Sequence, residues 1–268
     1  MTDKKGGALT SRWKMKRFDR NRMLEMEDWI AVEHPLTIML NGDEFATMVC
    51  SPSHLDELVV GFLASEGVIR TREEIRSLTL TTDGNFAHVE LVNRQRIGIE
   101  QYTKRMIGSC CGKSRQFYFQ NDARTAKTVM SEMEISMAQC FDLMETLQTE
   151  SVEFAQTGGL HNAALCTAAQ LLVSRTDIGR HNALDKLFGY CLQHKLSVHD
   201  KVLVFSGRLS SEVLLKAAKI GVGIVLTKSA PTDLALKLAD DLRISTVGFI
   251  RGERGNIYTH PFRIVDTR

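Results

Sequence analysis

The apolar residues fall into short blocks, and their period changes along the chain. PLTIML and FATMVC flank Asn41-Gly42, the pair that most favours a tight two-residue turn, so this stretch predicts a β-hairpin. After Ser51-Pro52-Ser53, LDELVVGFLASEG places Leu55, Leu58, Val59, Phe62 and Leu63 at helical spacing, with Gly67 as the stop. Runs at 77–82 and 87–93 read as further strands. These elements predict a small N-terminal α+β domain over 26–106, preceded by a basic, polar, mobile tail over 1–25.

Periodicity stops at MIGSCCGKSRQ, a cysteine loop and linker over 107–125. It resumes with SEMEISMAQCFDLMETLQ, whose Ile135, Met137, Phe141, Leu143 and Met144 suit an amphipathic helix. The remainder alternates. FAQTGGLHNAALC is expected to enter a helix, and LLVSRTDIGRHNALDKLFGYCLQH to hold a strand, a loop and a helix. KVLVFSG and GIVLTKS read as strands, SSEVLLKAAKIG and TDLALKLADDLR as helices, and STVGFIRGERGNIYTH as two closing strands. Strand and helix in turn predict a larger C-terminal α/β domain over 126–268 with a largely parallel sheet. The cysteine loop then lies at the seam of the two domains, a place where sites are often found.

Composition narrows the setting. The chain has 268 residues, 43% hydrophobic and 25% charged, enough for a sizeable core, and its net charge of +2 is too balanced to predict nucleic-acid binding. The start, MTDKKGGALTSRWKMKR, has no apolar h-region, and no run of about 18 apolar residues occurs. The expectation is a cytoplasmic protein without a membrane span, whose cysteines are not paired in disulfides. Cys50, Cys140, Cys166 and Cys191 sit among apolar neighbours and read as core. Only Cys110 and Cys111 lie among glycine, serine and lysine.

Three chemistries could use that pair. GSCCGKS has three residues between Gly108 and Gly112, where a phosphate-binding P-loop needs four. Adjacent cysteines are poorly spaced for one tetrahedral zinc, and no second C-x-x-C exists. Nucleophilic sulfur chemistry fits better: Lys104, Arg105, Lys113 and Arg115 favour a thiolate, and glycines leave the backbone free to approach a partner.

Five polar motifs suggest an anion site. TGGLHNAAL and DIGRHNALDK share Gly followed by His-Asn-Ala, so Gly159, His161, Arg180 and His181 become candidates at glycine-entered helix starts. Asp177, Asn182 and Asp185 make the second motif unusually polar for packing. SGRLSSE and LTKSAPTD each follow an apolar strand, placing Arg208 and Lys228 where open α/β sheets bind ligands. GFIRGERGNIYTHP closes the set with Arg251 and Arg254 around Gly252 and with Phe249 and Tyr258 for stacking.

LNGDEF, GFLASEGVI, CCGK, TGGLHNAAL, DIGRHNALDK, SGRLSSE, KSAPTDLA and GFIRGERGNIYTHP, in this order, resemble the formate dehydrogenase accessory sulfurtransferase family, FdhD. The resemblance implies a sulfur carrier that takes sulfur from a cysteine desulfurase as a cysteine persulfide. It would pass that sulfur to the molybdenum cofactor, a bis-molybdopterin guanine dinucleotide, before the cofactor enters formate dehydrogenase. It also implies a C-terminal domain similar to the cytidine-deaminase fold, a homodimer, and a segment for the cofactor's guanine nucleotide moiety, here Phe249, Ile250, Arg251, Gly252, Glu253 and Arg254. No zinc is expected, since His161 and His181 are each followed by Asn-Ala and P-C-x-x-C is missing. Many members separate the two cysteines by two residues, whereas here they are adjacent. With a gap placed between them, Cys110 takes the persulfide position and Cys111 the second; aligned from the right, Cys111 is the second and Gly108 stands at the first. The preferred reading makes Cys110 the carrier, with a cofactor-binding chaperone as the alternative function.

Overall fold

The computed structural model describes residues 8–93, 106–107 and 128–266. Strands β1 (Thr10–Asp19) and β2 (Arg22–Ala31) form an antiparallel two-stranded arm. The tail expected over 1–25 is therefore paired from Thr10 onward. Its long charged side chains hid the pattern: Lys14–Glu27 and Lys16–Glu25 are cross-strand neighbours rather than a solvated run.

β3 (His34–Leu40) and β4 (Asp43–Cys50) form the hairpin expected at Asn41-Gly42. Leu36, Ile38 and Leu40 face inward at every second position, as do Ala46, Met48 and Cys50. Helix α1 (Leu55–Ser65) follows, then β5 (Ile75–Leu80), β6 (Phe86–Leu91) and β7 (Met106–Ile107). The sheet has the order β5-β6-β3-β4-β7.

β8 (Ile135–Ser136) leads into α2 (Met137–Glu150), whose start is fixed by a capping box between Ser136 and Gln139. A short α3 (Val152–Thr157) ends at Gly158, which has φ 62. The rest runs β9 (His161–Cys166), β10 (Leu171–Asp177), α4 (Arg180–Gln193), β11 (Val202–Phe205), α5 (Ser211–Ile220), β12 (Ile224–Thr227), α6 (Asp233–Asp241), β13 (Ser245–Arg251) and β14 (Arg254–Thr259), with β15 (Ile264–Val265) pairing β8.

The second sheet has the order β10-β9-β11-β12-β13-β14. Only β11/β12 and β12/β13 are parallel; the other three pairs are antiparallel, so the expected largely parallel sheet is mixed. The source of the error is HNAALC, read as entering a helix but forming β9. Asn162 through Cys166 are all buried, so the strand shows no alternation, and a short apolar run gives no period to tell strand from helix.

Alternation in β11 and β12 assigns the two faces. Val202, Val204, Ile224 and Leu226 pack with Cys140, Leu143, Met144 and Leu147 of α2. Leu203, Phe205 and Val225 join the cluster that contains α4, α5 and the first sheet. The regions expected as separate domains thus share one apolar core. Helices α1 and α4 touch backbone to backbone: a Cβ on Gly61 would lie 1.8 Å from the Asp185 carbonyl oxygen, and one on Gly189 would lie 1.9 Å from that of Glu57. Among the described residues no helix is long and apolar enough to cross a membrane.

Candidate functional site

Strand direction gathers the motifs at one rim. In the parallel strands β11, β12 and β13 the chain runs toward Phe205, Thr227 and Arg251. β9 runs the other way, and its pairing of Ala163 with Phe205 brings its first residue, His161, to that same rim. Asp177, at the end of β10, pairs with His161, and Arg254, at the start of β14, pairs with Arg251. His161, Arg180, His181, Arg208, Lys228, Arg251 and Arg254 therefore line one edge of the sheet, about 24 Å across six strands at ~4.8 Å each. Positive charge dominates that edge.

Hydrogen bonds hold the loops in place. Ser206 Oγ accepts from the Asn162 amide at 2.9 Å, and Thr227 Oγ1 donates to the Gly207 carbonyl at 2.6 Å. The Leu209 amide donates to the Ala230 carbonyl at 3.1 Å, and the Thr232 amide returns a bond to the Leu209 carbonyl at 2.9 Å. The Phe249 amide donates to the Ser229 carbonyl at 3.1 Å. The SGRLSSE and KSAPTD loops and the β13 end thus form one connected frame. Arg208 is exposed on it, and Lys228 reaches back to donate to Gln148 Oε1 of α2. Phe249 has φ 54 and stays partly exposed, with the Arg251 guanidinium 5.9 Å from its ring centre.

The two histidines converge. A Cβ on Gly207 would sit 3.3 Å from His161 Nδ1, so glycine there lets the loop approach the imidazole. Burial, with Arg180 beside it, pulls His161 below its usual pKa. Burial also lowers His181, partly offset by Glu212, whose carboxylate lies 3.1 Å from His181 Nε2. Both shifts favour the neutral imidazole. Glu212 belongs to SGRLSSE, yet nothing in the sequence marked it as the partner of a residue 31 positions away.

Part of the expected site is structural instead. Asp177, fully buried, accepts from the amides of Ser51 (3.0 Å) and Gly179 (2.8 Å) and from Asn182 Nδ2 (3.0 Å). Lys186 Nζ pairs with it at 2.7 Å and donates to the Ser51 carbonyl at 3.1 Å. Asp185 pairs with Lys216 and accepts from Ser65 Oγ at 2.6 Å. These groups join α4 to the β4–α1 connection and to α5, so the polarity of DIGRHNALDK is mostly internal cross-linking. Gly159 does not open a helix; it follows the end of α3, with the Ala31 side chain 3.5 Å from where its Cβ would be. Ile250 is buried beneath the rim, and Gly252 and Glu253 form the exposed turn.

The turn closes a cavity of about 540 Å³ that the sequence did not indicate. Phe141, Asp142, Glu145 and Gln148 of α2 line it, facing Ile250, Gly252 and Glu253. Among the described residues no cluster of His, Cys, Asp or Glu could hold a metal ion.

Cys50, Cys140, Cys166 and Cys191 are all buried, and burial pushes each thiol up to about 12. None is a nucleophile at neutral pH. Cys110 and Cys111 lie outside the described residues. β7 pairs parallel to β4, with Met106 opposite Thr47 and Ile107 opposite Met48.

Comparison with known proteins agrees over nearly the whole chain. The FdhD/NarQ family model matches residues 31–265. A protein named sulfur carrier protein FdhD from Geobacillus kaustophilus is 56% identical over 97% of this chain and 98% of its own. One of the same name from Bacillus subtilis is 56% identical over 92% and 95%. A crystal structure from Desulfotalea psychrophila, of a protein proposed as a formate dehydrogenase accessory protein, superposes with a TM-score of 0.79 at 26% identity, covering 96% of this chain and all of that one.

Proposed function

The chain belongs to the FdhD/NarQ family, and from that premise we propose that it is a sulfur carrier serving the maturation of formate dehydrogenase. The Cys110 thiolate takes the outer sulfur of the desulfurase's own persulfide, leaving that enzyme's cysteine as thiolate; the outer sulfur of the Cys110 persulfide then passes to the reduced molybdenum cofactor bound as substrate at the sheet rim, the cofactor supplying the two electrons and Cys110 leaving as thiolate. The observation that carries this reading is the rim: Arg180, Arg208, Lys228, Arg251 and Arg254 converge there from separate elements. A dinucleotide cofactor carries several phosphates and is long enough to need such a span, and arginine matches phosphate with paired donors. The cavity beside the β13–β14 turn, about 540 Å³, has the volume for a base, with Phe141 among its lining residues and carboxylates of Asp142, Glu145 and Glu253 as acceptors for amide-like donors.

The thiols fit the same division of labour. Four cysteines are sealed in apolar clusters with raised pKa values. Sulfur chemistry falls to Cys110 and Cys111, which have basic neighbours in sequence. Adjacent cysteines close only a strained ring, since ordinary disulfides need Cα atoms about 4.4–6.8 Å apart with free rotation. The second thiol therefore serves as an exchange partner rather than a storage disulfide.

The test is mass spectrometry of the protein after incubation with a cysteine desulfurase and cysteine, with peptide mapping across 107–115. One added sulfur on the peptide holding Cys110 and Cys111, removed by reductant and absent from Cys110→Ala, is expected. No addition with an active desulfurase would leave the chaperone reading in its place.

A further inference from the structure

The β1–β2 arm ends in a tip that stands clear of the body. Residues 16–27 are exposed without exception, whereas Met15, Asp28 and Trp29, nearer the root, are partly covered. The tip is apolar on both faces. Directly opposed residues share a face, which puts Phe18 with Met23 on one side and Leu24, opposite Arg17, on the other. Phe18 is 71% exposed, Met23 66% and Leu24 48%. Charge is concentrated there too. Beyond the Lys16–Glu25 pair, residues 17–24 hold Arg17, Arg20 and Arg22 against Asp19 alone, a net charge of +2. That equals the net charge of the entire chain, so the other residues sum to zero. Arg20 has φ 53 at the turn, a left-handed position that glycine or asparagine fills at lower cost, and so an arginine stands at the extreme end.

The geometry points to the surface of an anionic lipid bilayer as the occupant of this tip, entered end-on. A protein surface, a second copy of this chain included, covers one face of a hairpin and leaves the other in water. The interfacial layer of a bilayer surrounds an inserted tip and takes apolar groups from both faces at once. Its depth fits. Peripheral elements bury about 5–10 Å into the boundary between headgroups and acyl chains, and at ~3.4 Å per residue two to three rows of the arm span that distance. Those rows are Asp19–Arg22, Phe18–Met23 and Arg17–Leu24. Asp19, the one acid among them, lies directly opposite Arg22, so its charge enters compensated. Arg17 and Arg20 remain for lipid phosphates, their stems along the apolar groups and their guanidinium groups at headgroup level. A body without net charge gives the membrane no second hold, so attachment runs through the arm and is reversible. The root of the arm is at the site: Ala31 lies against Gly159, two residues before His161. An arm inserted by its tip thus holds the His161 end of the rim within about 25 Å of the bilayer. This assignment adds no membrane span and does not rest on the sulfur-carrier reading.

Flotation of the full chain with lipid vesicles tests the proposal. The wild type is expected to float with phosphatidylcholine vesicles containing about one-third phosphatidylglycerol at ~0.05 M salt. Its partition coefficient should fall about tenfold or more with pure phosphatidylcholine or at ~0.5 M salt. Arg17→Glu/Arg20→Glu reverses the charge of the tip, and Phe18→Ser/Met23→Ser removes its apolar end; each should cause a loss of about the same size. Leu234→Ser, at an exposed apolar site on α6, should leave binding unchanged. Phe18→Trp places a reporter at the tip: brominated lipid should quench it strongly, and the chain's own Trp13 and Trp29, nearer the root, little. No arm residue belongs to either apolar core, so thermal melting of the body reports that each variant is folded. A folded wild type that stays with the soluble fraction, equal binding to neutral vesicles, tip variants that float like the wild type, or quenching confined to Trp13 and Trp29 would overturn the proposal.

Discussion

The chain contains His-Asn-Ala twice, and the two copies fold differently. At 161–163 the tripeptide opens β9; at 181–183 it forms the first turn of α4. The flanks decide. Gly158, at φ 62, ends α3, and the following residues are drawn between β10 and β11. Gly179 instead caps α4, its amide held by the Asp177 carboxylate. Yet both histidines reach one rim, and both asparagines turn inward. Asn162 Oδ1 accepts from Thr176 Oγ1 at 2.5 Å, whereas Asn182 Nδ2 donates to the Val49 carbonyl at 2.9 Å and to Asp177. A shared tripeptide predicts a shared neighbourhood here, not a shared element.

The lesson extends to the charges around each copy. Beneath the second copy, Asp177 and Lys186 are sealed from water and satisfy one another; along the rim, Arg208 and Arg251 are exposed. Removing one member of the buried pair strands the other, so Lys186→Met should lower stability by about 3–5 kcal/mol in urea unfolding. Arg208→Ala should shift it by less than about 0.5 kcal/mol. Equal effects would erase the distinction between interior and rim. A finer comparison sets the asparagines against each other. Asn182→Ala, which loses two bonds and leaves the part-buried Val49 carbonyl short of a donor, should cost about 2 kcal/mol, and Asn162→Ala about 1 kcal/mol.

The smallest expected effect concerns pH. His161 and His181 both have lowered pKa values, chiefly through burial. The unfolded chain therefore takes up protons that the folded chain resists, and stability should fall as pH drops through the ordinary histidine range near 6.5. His161→Gln should flatten that slope, while a polyphosphate ligand, which favours the imidazolium, should reduce it. A slope unchanged by both would show that the buried rings do not govern it.

Much of this was legible in the residues. Period-two runs and the Asn-Gly turn located the first hairpin, and Ser210 and Thr232 cap the helices that follow SGRLSSE and KSAPTD, as strand–loop–helix patterning implied. The rim itself followed from polar motifs placed after apolar strands. What was not legible depended on pairing across distance. β9 is buried on both faces and carries no period, and Glu212 finds His181 only through the packing of α5 beside α4. The acidic cavity combines α2 with a turn more than 100 residues later. The DIGRHNALDK polarity was visible, but its cross-linking purpose needed Ser51, Val49 and Ser65 from the other sheet region.

The central claim is that the rim, and not the buried charge cluster, holds the cofactor's phosphates. Calorimetric titration of guanosine diphosphate into the wild type and into Arg208→Ala/Lys228→Ala tests it most directly. The account predicts measurable binding that weakens about a hundredfold in the double variant, with an unchanged melting temperature. Equal affinity in a folded double variant would contradict it.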